Sequence, residues 1–121
     1  MKYFLLWFAC FLVILGSGNL YCQSNILSGE YSAGIATDGW TLHQGSGMRV
    51  YSLFVLFEKP FDTVPTVSIT ITGIDASKDF NLRYRVKVER ITTAGMLIKI
   101  STWEDTKLYL IEGQWRAIER R

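Results

Sequence analysis

The chain has 121 residues, of which 49% are hydrophobic and 20% charged, with a formal net charge of +2 at pH 7. This length suits one compact domain and excludes two. Adjacent basic residues occur only at Arg120 and Arg121, so the chain lacks the basic surface that nucleic-acid binding requires.

The first 22 residues have the pattern of a secretory signal peptide. Lys2 precedes an uncharged run over residues 3–15, and small residues follow at 16–18. Such a run is too short for a comfortable membrane span but fits the apolar core of a signal peptide. The sequence predicts export of a domain over residues 23–121, with cleavage after Cys22 or, alternatively, after Gly18. Lipidation of Cys22 is disfavoured because Tyr21 is too bulky for the position before a lipidated cysteine.

Both cysteines fall at or before that cleavage site. Cys10 lies within the predicted signal peptide and Cys22 lies at its end. The predicted mature domain therefore has no disulfide, although an exported protein could carry one. We expect its stability to come from its core or from association, and no later hydrophobic stretch is long enough to span a bilayer.

Short alternating segments dominate the rest of the sequence. In residues 66–72, three β-branched apolar side chains alternate with four hydroxyl side chains, and residues 83–89 alternate in a similar way. Further strand candidates are residues 30–35, 50–57 and 96–101, and finally residues 108–111 followed by 114–118. No segment of ten or more residues keeps a helical period. The pattern predicts an all-β protein with six short strands in an antiparallel β-sandwich.

Residues 50–57 are nearly all apolar, which predicts a strand buried on both faces. In a small sandwich, the second buried face implies a neighbouring subunit. The alternative is a central strand whose outer face is covered by a loop of the same chain.

Catalytic and metal chemistry lack suitable residues. His43 is the only histidine, and zinc rarely accepts a site of carboxylates alone. A serine hydrolase would need His43 as its base, within a glycine-rich loop. Retaining glycosidases need two facing carboxylates about 5 Å apart. Glu104 and Asp105 are adjacent in the sequence, and adjacent side chains of an extended chain point to opposite sides. These two residues therefore do not suit a glycosidase. We therefore expect no catalytic residue, no metal and no cofactor.

The connection STWEDTKLY, residues 101–109, places Trp103, Glu104 and Tyr109 between two strand candidates. An aromatic ring can cover the apolar C–H patch of a sugar, and a charged side chain can fix the sugar hydroxyls by charge-assisted hydrogen bonds. The alternative interpretation is that Trp103 packs at an edge of the sandwich and that Tyr109 is an interface or strand residue. Trp40 and Trp115 are interpreted as core or strand-edge residues.

Several motifs, in this order, resemble those of the H-type lectin domain, the type found in snail agglutinins and at the C-terminus of discoidins. They are FEKPF at 57–61, PTVSIT at 65–70, NLR at 81–83, TTAGM at 92–96, TWEDTKLY at 102–109 and WRA at 115–117. The resemblance covers about residues 28–119. Its most specific part is NLR followed about 20 residues later by T-W-x-x-T-x-x-Y.

The resemblance implies a six-stranded sandwich that assembles as a homotrimer and binds galactose or N-acetylgalactosamine, without a metal, near the subunit interfaces. By position, Arg83 matches the arginine that bonds ring hydroxyls, a task that suits a planar guanidinium. Trp103 and Tyr109 match the aromatic positions that flank the sugar. Without the resemblance, Arg83 would be interpreted as one of the solvated charges on an outer strand face.

The chain departs from this pattern at two places. Glu104 stands where the best-known members have a histidine, and an ionised carboxylate accepts hydrogen bonds but donates none. The loop over residues 39–49 contains no acidic residue, although the family uses one there to hold the axial hydroxyl of galactose. Gln44 or Ser46 could take that part with a weaker hydrogen bond.

The sequence thus predicts a secreted, non-enzymatic carbohydrate-binding protein whose partners are galactose-type glycans and two further copies of itself. The alternative is a secreted structural or adhesion sandwich with a degenerate sugar site, which binds protein or only its own copies.

Overall fold

The computed structural model describes residues 25–120, which form six β-strands. The strands are β1 (Asn25–Gly34), β2 (Arg49–Leu56), β3 (Thr66–Ala76), β4 (Arg85–Glu89), β5 (Gly95–Thr102) and β6 (Leu108–Glu119). The predicted all-β class and the number of strands are confirmed. The predicted signal peptide, its cleavage site and both cysteines lie outside the described residues. Across residues 25–120 there is no helix of the length and apolarity that a bilayer crossing demands.

The strands form two three-stranded antiparallel sheets. The first has the order β1-β6-β3 and the second the order β2-β5-β4, so β6 and β5 are the central strands. The inward residues of the two central strands make the middle of the core, where Ile98, Ile100, Ile111 and Ala117 are fully buried. Trp40 and Trp115 are 5% and 9% exposed, as their interpretation as core residues predicts.

The segments 108–111 and 114–118 belong to one continuous strand, β6. The glycine between them, Gly113, does not break the strand because its bare backbone makes room for a neighbour. A Cβ atom there would lie 1.9 Å from the carbonyl oxygen of Thr70 and 2.5 Å from the hydroxyl of Tyr31. The Tyr31 ring crosses that space from β1 and donates to the Thr70 carbonyl on β3 at 2.9 Å. One side chain thereby connects the two edge strands across the central one.

Strand β2 buries only one face within the single chain, and cover of its second face by a neighbouring subunit stays a prediction. Tyr51, Leu53 and Val55 point into the core, but Phe54 and Leu56 on the other face are 65% and 72% exposed. Because β2 is an edge strand, the alternative of a central strand under a loop is also wrong. The outer apolar face of β2 is open in the single chain.

The end of β6 is fastened by a buried carboxylate, that of Glu119, which is 1% exposed. It accepts hydrogen bonds from the backbone and hydroxyl of Thr63 at 3.1 and 3.2 Å and from the amide of Asn25 at 3.4 Å. Burial raises the pKa of Glu119, but these hydrogen bonds and one from the backbone of Asp62 together hold the pKa below its usual value.

Candidate functional site

The turn between β5 and β6 brings two acidic side chains to one arginine. Arg83 contacts the carboxylate of Glu104 at 3.2 Å through Nη2 and that of Asp105 at 2.8 Å through Nη1. The sequence argument placed adjacent acidic side chains on opposite sides, and it is wrong here because the chain is not extended. Glu104 has a φ of 55°, in the left-handed region that non-glycine residues rarely adopt. We call Arg83, Glu104 and Asp105 the Arg83 cluster.

Two buried threonines hold the backbone that carries Arg83. The hydroxyl of Thr102 donates to the Arg83 carbonyl. The hydroxyl of Thr106 accepts from the Arg83 backbone N–H at 3.1 Å and donates to the Asn81 carbonyl at 2.5 Å. Strand β4 begins only at Arg85, so these hydroxyls replace the ladder bonds that a longer strand would have made. The NLR segment and the threonines of the turn are therefore one unit.

Arg49 joins the loop over residues 39–49 to the same turn. Its guanidinium donates to five backbone carbonyls at 2.8–3.3 Å, those of Leu42, Gln44, Gly47, Glu104 and Thr106. The backbone N–H of Gly47 also donates to the Glu104 carbonyl at 2.9 Å. Arg49 could not be identified as a site residue from the sequence. All the partners of its guanidinium are backbone carbonyls, which any residue type provides.

Gln44 and Ser46 lie at the exposed tip of this loop. Gln44 belongs to the site through its backbone, since its N–H donates to the Thr41 carbonyl at 3.1 Å and its carbonyl accepts from Arg49. Neither side chain makes a hydrogen bond to the described part of the chain. Both polar side chains are therefore free to meet a ligand.

The aromatic residues of the turn are placed differently from each other. Trp103 is half-buried, and the guanidinium of Arg85 lies 5.6 Å from its ring centroid. Tyr109 is half-buried on β6, and no hydrogen bond or ring contact within residues 25–120 joins its side chain to the Arg83 cluster. The structure thus brings Arg83 and Glu104 together, puts Trp103 beside them in the turn, and leaves Tyr109 without a direct link.

A further aromatic residue lies on the opposite side of the turn. The ammonium of Lys107 hydrogen-bonds the Gly45 carbonyl and sits 5.6 Å from the centroid of Phe80, a ring that is 39% exposed. Lys107 therefore connects the 39–49 loop to the segment that precedes NLR. Nothing in the sequence pattern distinguishes Phe80 from an ordinary loop residue.

The Arg83 cluster offers both donors and acceptors to a polar ligand. A guanidinium has five N–H donors, and the two carboxylates engage only part of them. Each carboxylate side chain is more than half exposed and has a second oxygen that can accept a hydrogen bond. Within residues 25–120, no group of three histidine, cysteine or acidic side chains is placed to hold a metal ion. This arrangement suits a neutral ligand rich in hydroxyl groups.

Comparisons with known proteins agree on one type of domain. The family model of the H-type lectin domain matches residues 52–118. A protein of Fuscovulum blasticum named ATP synthase subunits region ORF 7 is 35% identical over 81 residues, which are 67% of this chain and 70% of that protein. Discoidin-2 of Dictyostelium discoideum is 32% identical over 100 residues, which are 82% of this chain but 37% of discoidin-2.

The solved structure of recombinant discoidin II from Dictyostelium discoideum has the same fold. It superposes with a TM-score of 0.73 at 30% sequence identity and covers 84% of this chain. The superposed region is 39% of the discoidin II chain. The chain thus spans well under half the length of the discoidins that it matches.

Proposed function

Because this chain belongs to the H-type lectin domain family, we propose that it is a secreted, non-enzymatic lectin that binds galactose or N-acetylgalactosamine at the Arg83 cluster. The observation that carries the proposal is the pairing of one guanidinium with two exposed carboxylates on a rigid turn. Donors and acceptors held side by side can bind the neighbouring hydroxyls of a sugar ring, which both donate and accept.

Each residue of the proposed site has a role that follows from its position. Arg83 donates to ring hydroxyls, and Glu104 accepts from a hydroxyl or from an acetamide N–H. Trp103 offers a ring to the apolar side of the sugar, and Tyr109 is assigned as the second aromatic residue on the resemblance alone. Gln44 or Ser46 holds the axial hydroxyl from the loop. Because Glu104 cannot donate to the acetamide carbonyl when ionised, any preference for N-acetylgalactosamine over galactose must rest on the acetamide N–H.

Assembly as a homotrimer would turn weak single sites into strong binding. The outer face of β2 supports this proposal, because it exposes Phe54 and Leu56 beside Leu97 of the neighbouring strand β5. Contiguous exposed apolar surface of this kind is typical of an interface. We call these three residues the apolar end of the second sheet. Three sites on one assembly raise the apparent affinity through effective concentration.

The proposal that the protein is secreted rests on the N-terminal pattern of Lys2, the uncharged run 3–15 and the small residues after it.

The experiment that tests the proposed function is a glycan array with the purified protein and two arginine variants. Wild type should bind galactose-terminated glycans, and Arg83→Ala should lose most of this binding. Arg116→Ala is the matched control, because Arg116 is an exposed arginine on the outer face of the other sheet. Absence of binding by wild type, or equal binding by Arg83→Ala, would contradict the proposal.

A second candidate function is a structural or adhesion sandwich that binds protein or its own copies. It is favoured by Glu104, which stands where the best-known members of the family have a histidine. The 39–49 loop also lacks an acidic side chain. Self-assembly that free galactose leaves unchanged, together with an empty glycan array, would support this candidate instead.

A further inference from the structure

The outer face of the second sheet carries a pocket with an unusual set of charges. The pocket, of about 190 Å³, is lined by three cations and one carboxylate, those of Arg85, Lys87, Lys99 and Glu89, together with Ser101, Met48 and Val50. It lies at the end of the face opposite to the apolar end, since Val50 pairs with Ser101 whereas Leu56 pairs with Gly95. We call it the cationic pocket.

Strand register puts two lysines directly against each other in this pocket. Lys87 of β4 pairs with Lys99 of β5, and both side chains point outward. Like charges at directly opposite positions of an antiparallel pair are unfavourable. Lys99 has partial relief from Glu89 at 3.8 Å, but Lys87 makes no ion pair or hydrogen bond to any residue in the range 25–120. Two strands therefore present a repulsive pair that Glu89 compensates only in part.

Arg85 connects the pocket to the turn that carries the proposed sugar site. Arg85 lines the pocket and also lies over the Trp103 ring, at 5.6 Å, and Trp103 precedes Glu104 in the turn. Ser101 adds a hydroxyl between the cations, and only 8% of that residue is exposed. A saccharide at the Arg83 cluster that extends past Trp103 would therefore meet the cations of the pocket, beginning with Arg85.

We propose that the cationic pocket binds an anionic substituent of the glycan, a sulfate or a carboxylate, while the neutral sugar ring occupies the Arg83 cluster. An oxyanion between Arg85, Lys87 and Lys99 would remove the repulsion and gain charge-assisted hydrogen bonds. The inference rests on the proposed function, because it names the glycan class that the same site prefers. Glu104 and Asp105 disfavour an anion at the Arg83 cluster itself, which places the charged group in the pocket.

The test compares three glycans that differ in one substituent: a galactose-terminated disaccharide, its O-sulfated form and its sialylated form. Titration calorimetry with wild type in about 50 mM salt should give an affinity for at least one acidic form that exceeds the parent by about fivefold or more. In about 500 mM salt this advantage should shrink to about twofold or less, because screening weakens exposed ionic contacts. Whichever acidic form gains identifies the anion as sulfate or carboxylate.

Lys87→Gln should remove most of the advantage and leave the affinity for the parent disaccharide unchanged. Its melting temperature should equal or exceed that of wild type, since the variant relieves the repulsion with Lys99, so misfolding cannot explain a loss. Lys59→Gln removes an exposed lysine that lines no part of this pocket and should change neither affinity.

Equal affinities of wild type for all three glycans would overturn this inference while leaving the proposed function standing. An advantage that survives in Lys87→Gln would overturn it as well. Binding to anionic lipid vesicles without any preference among the glycans would show that the pocket serves a membrane surface instead. If wild type binds none of the three glycans, the proposed function and this inference fail together.

Discussion

Arg49 donates a hydrogen bond from Nη2 to the carbonyl oxygen of Glu104 at 2.8 Å. The backbone N–H of Gly47 reaches the same oxygen at 2.9 Å, so the 39–49 loop holds the peptide group of Glu104 with two donors. The direction of the Glu104 side chain toward Arg83 depends on that peptide group. Arg49, which lies outside the Arg83 cluster, thus helps to set the geometry of that cluster.

Arg49→Lys should weaken sugar binding although it keeps the charge. A lysine has three donors on one nitrogen and cannot reach five carbonyls spread over a loop and a turn. We expect the free energy of unfolding, measured by urea titration, to fall by about 1–3 kcal/mol, the range for hydrogen bonds to charged groups. Arg116→Lys is the control and should change neither quantity. Unchanged glycan binding by Arg49→Lys would show that the loop does not position Glu104.

The left-handed backbone conformation of Glu104 should lower the stability of the fold, because a residue other than glycine is strained there. Glu104→Gly and Glu104→Gln both remove the carboxylate, but only glycine adopts a φ of 55° without strain. We expect the glycine variant to be more stable than the glutamine variant by about 1 kcal/mol. At Glu58, an exposed acid whose φ is not positive, the order of the two variants should reverse. A glutamine variant at position 104 as stable as the glycine variant would contradict backbone strain.

Thr106→Val should destabilise the fold and disturb Arg83. Valine has nearly the same shape as threonine but lacks the hydroxyl. The Arg83 N–H therefore loses its hydrogen-bond acceptor, and the Asn81 carbonyl loses its donor. The expected loss in the free energy of unfolding is about 1–3 kcal/mol, and Thr106→Ser should restore most of it. Thr66→Val, on the exposed face of β3, is the matched control and should be nearly neutral.

Acid should abolish the contribution of Glu119. The pKa of this carboxylate is lowered in the folded protein, so its stabilisation is fully present above the unfolded pKa of about 4.5 and is lost as the pH falls through the folded pKa. The difference in melting temperature between wild type and Glu119→Gln should be constant from pH 7 to about pH 5 and shrink below about pH 4. A difference that grows on acidification would contradict this sign. Glu30→Gln provides a reference acid on the exposed face of β1.

Phe54→Glu should prevent the proposed trimer. A charge at the centre of the apolar end cannot be buried without a partner, so light scattering should show a monomer where wild type shows a trimer. Val64→Glu replaces another exposed apolar residue, 61% exposed and outside the second sheet, and should leave the mass unchanged. A monomeric wild type would contradict the proposed assembly directly.

Most strands could be predicted from the sequence, because apolar and polar residues alternate along a strand with one buried and one exposed face. Residues 66–70 show this well, since Val67 and Ile69 are less exposed than Thr66, Ser68 and Thr70. The predicted alternation fails at Ile71, which is 38% exposed beside the register shift between Ile71 and Gly73. Alternation could not show that residues 108–111 and 114–118 are one strand. The reason is the Tyr31 ring over Gly113, a contact between residues 82 positions apart in the chain.

The parts of the site that depend on the identity of a side chain could be predicted from the sequence. The parts that depend on backbone conformation or on backbone hydrogen bonds could not. Arg83 and Glu104 were expected together from their motifs, and the structure joins them at 3.2 Å. Asp105 was missed because the rule for neighbours in extended chain fails at a left-handed residue. Arg49 was missed because its partners are peptide carbonyls, which every residue possesses.

The reach of Tyr31 over Gly113 has a consequence for how the first sheet comes apart. An edge strand held by a single ladder can peel away and exchange with the same strand of another copy. Strand β1 has a second attachment, since the Tyr31 hydroxyl is bonded to β3 on the far side of β6. To release β1, the Tyr31 ring must leave the core and the hydrogen bond from its hydroxyl to the Thr70 carbonyl must break. We therefore expect the amide protons of all three strands to exchange with solvent together, as one opening unit.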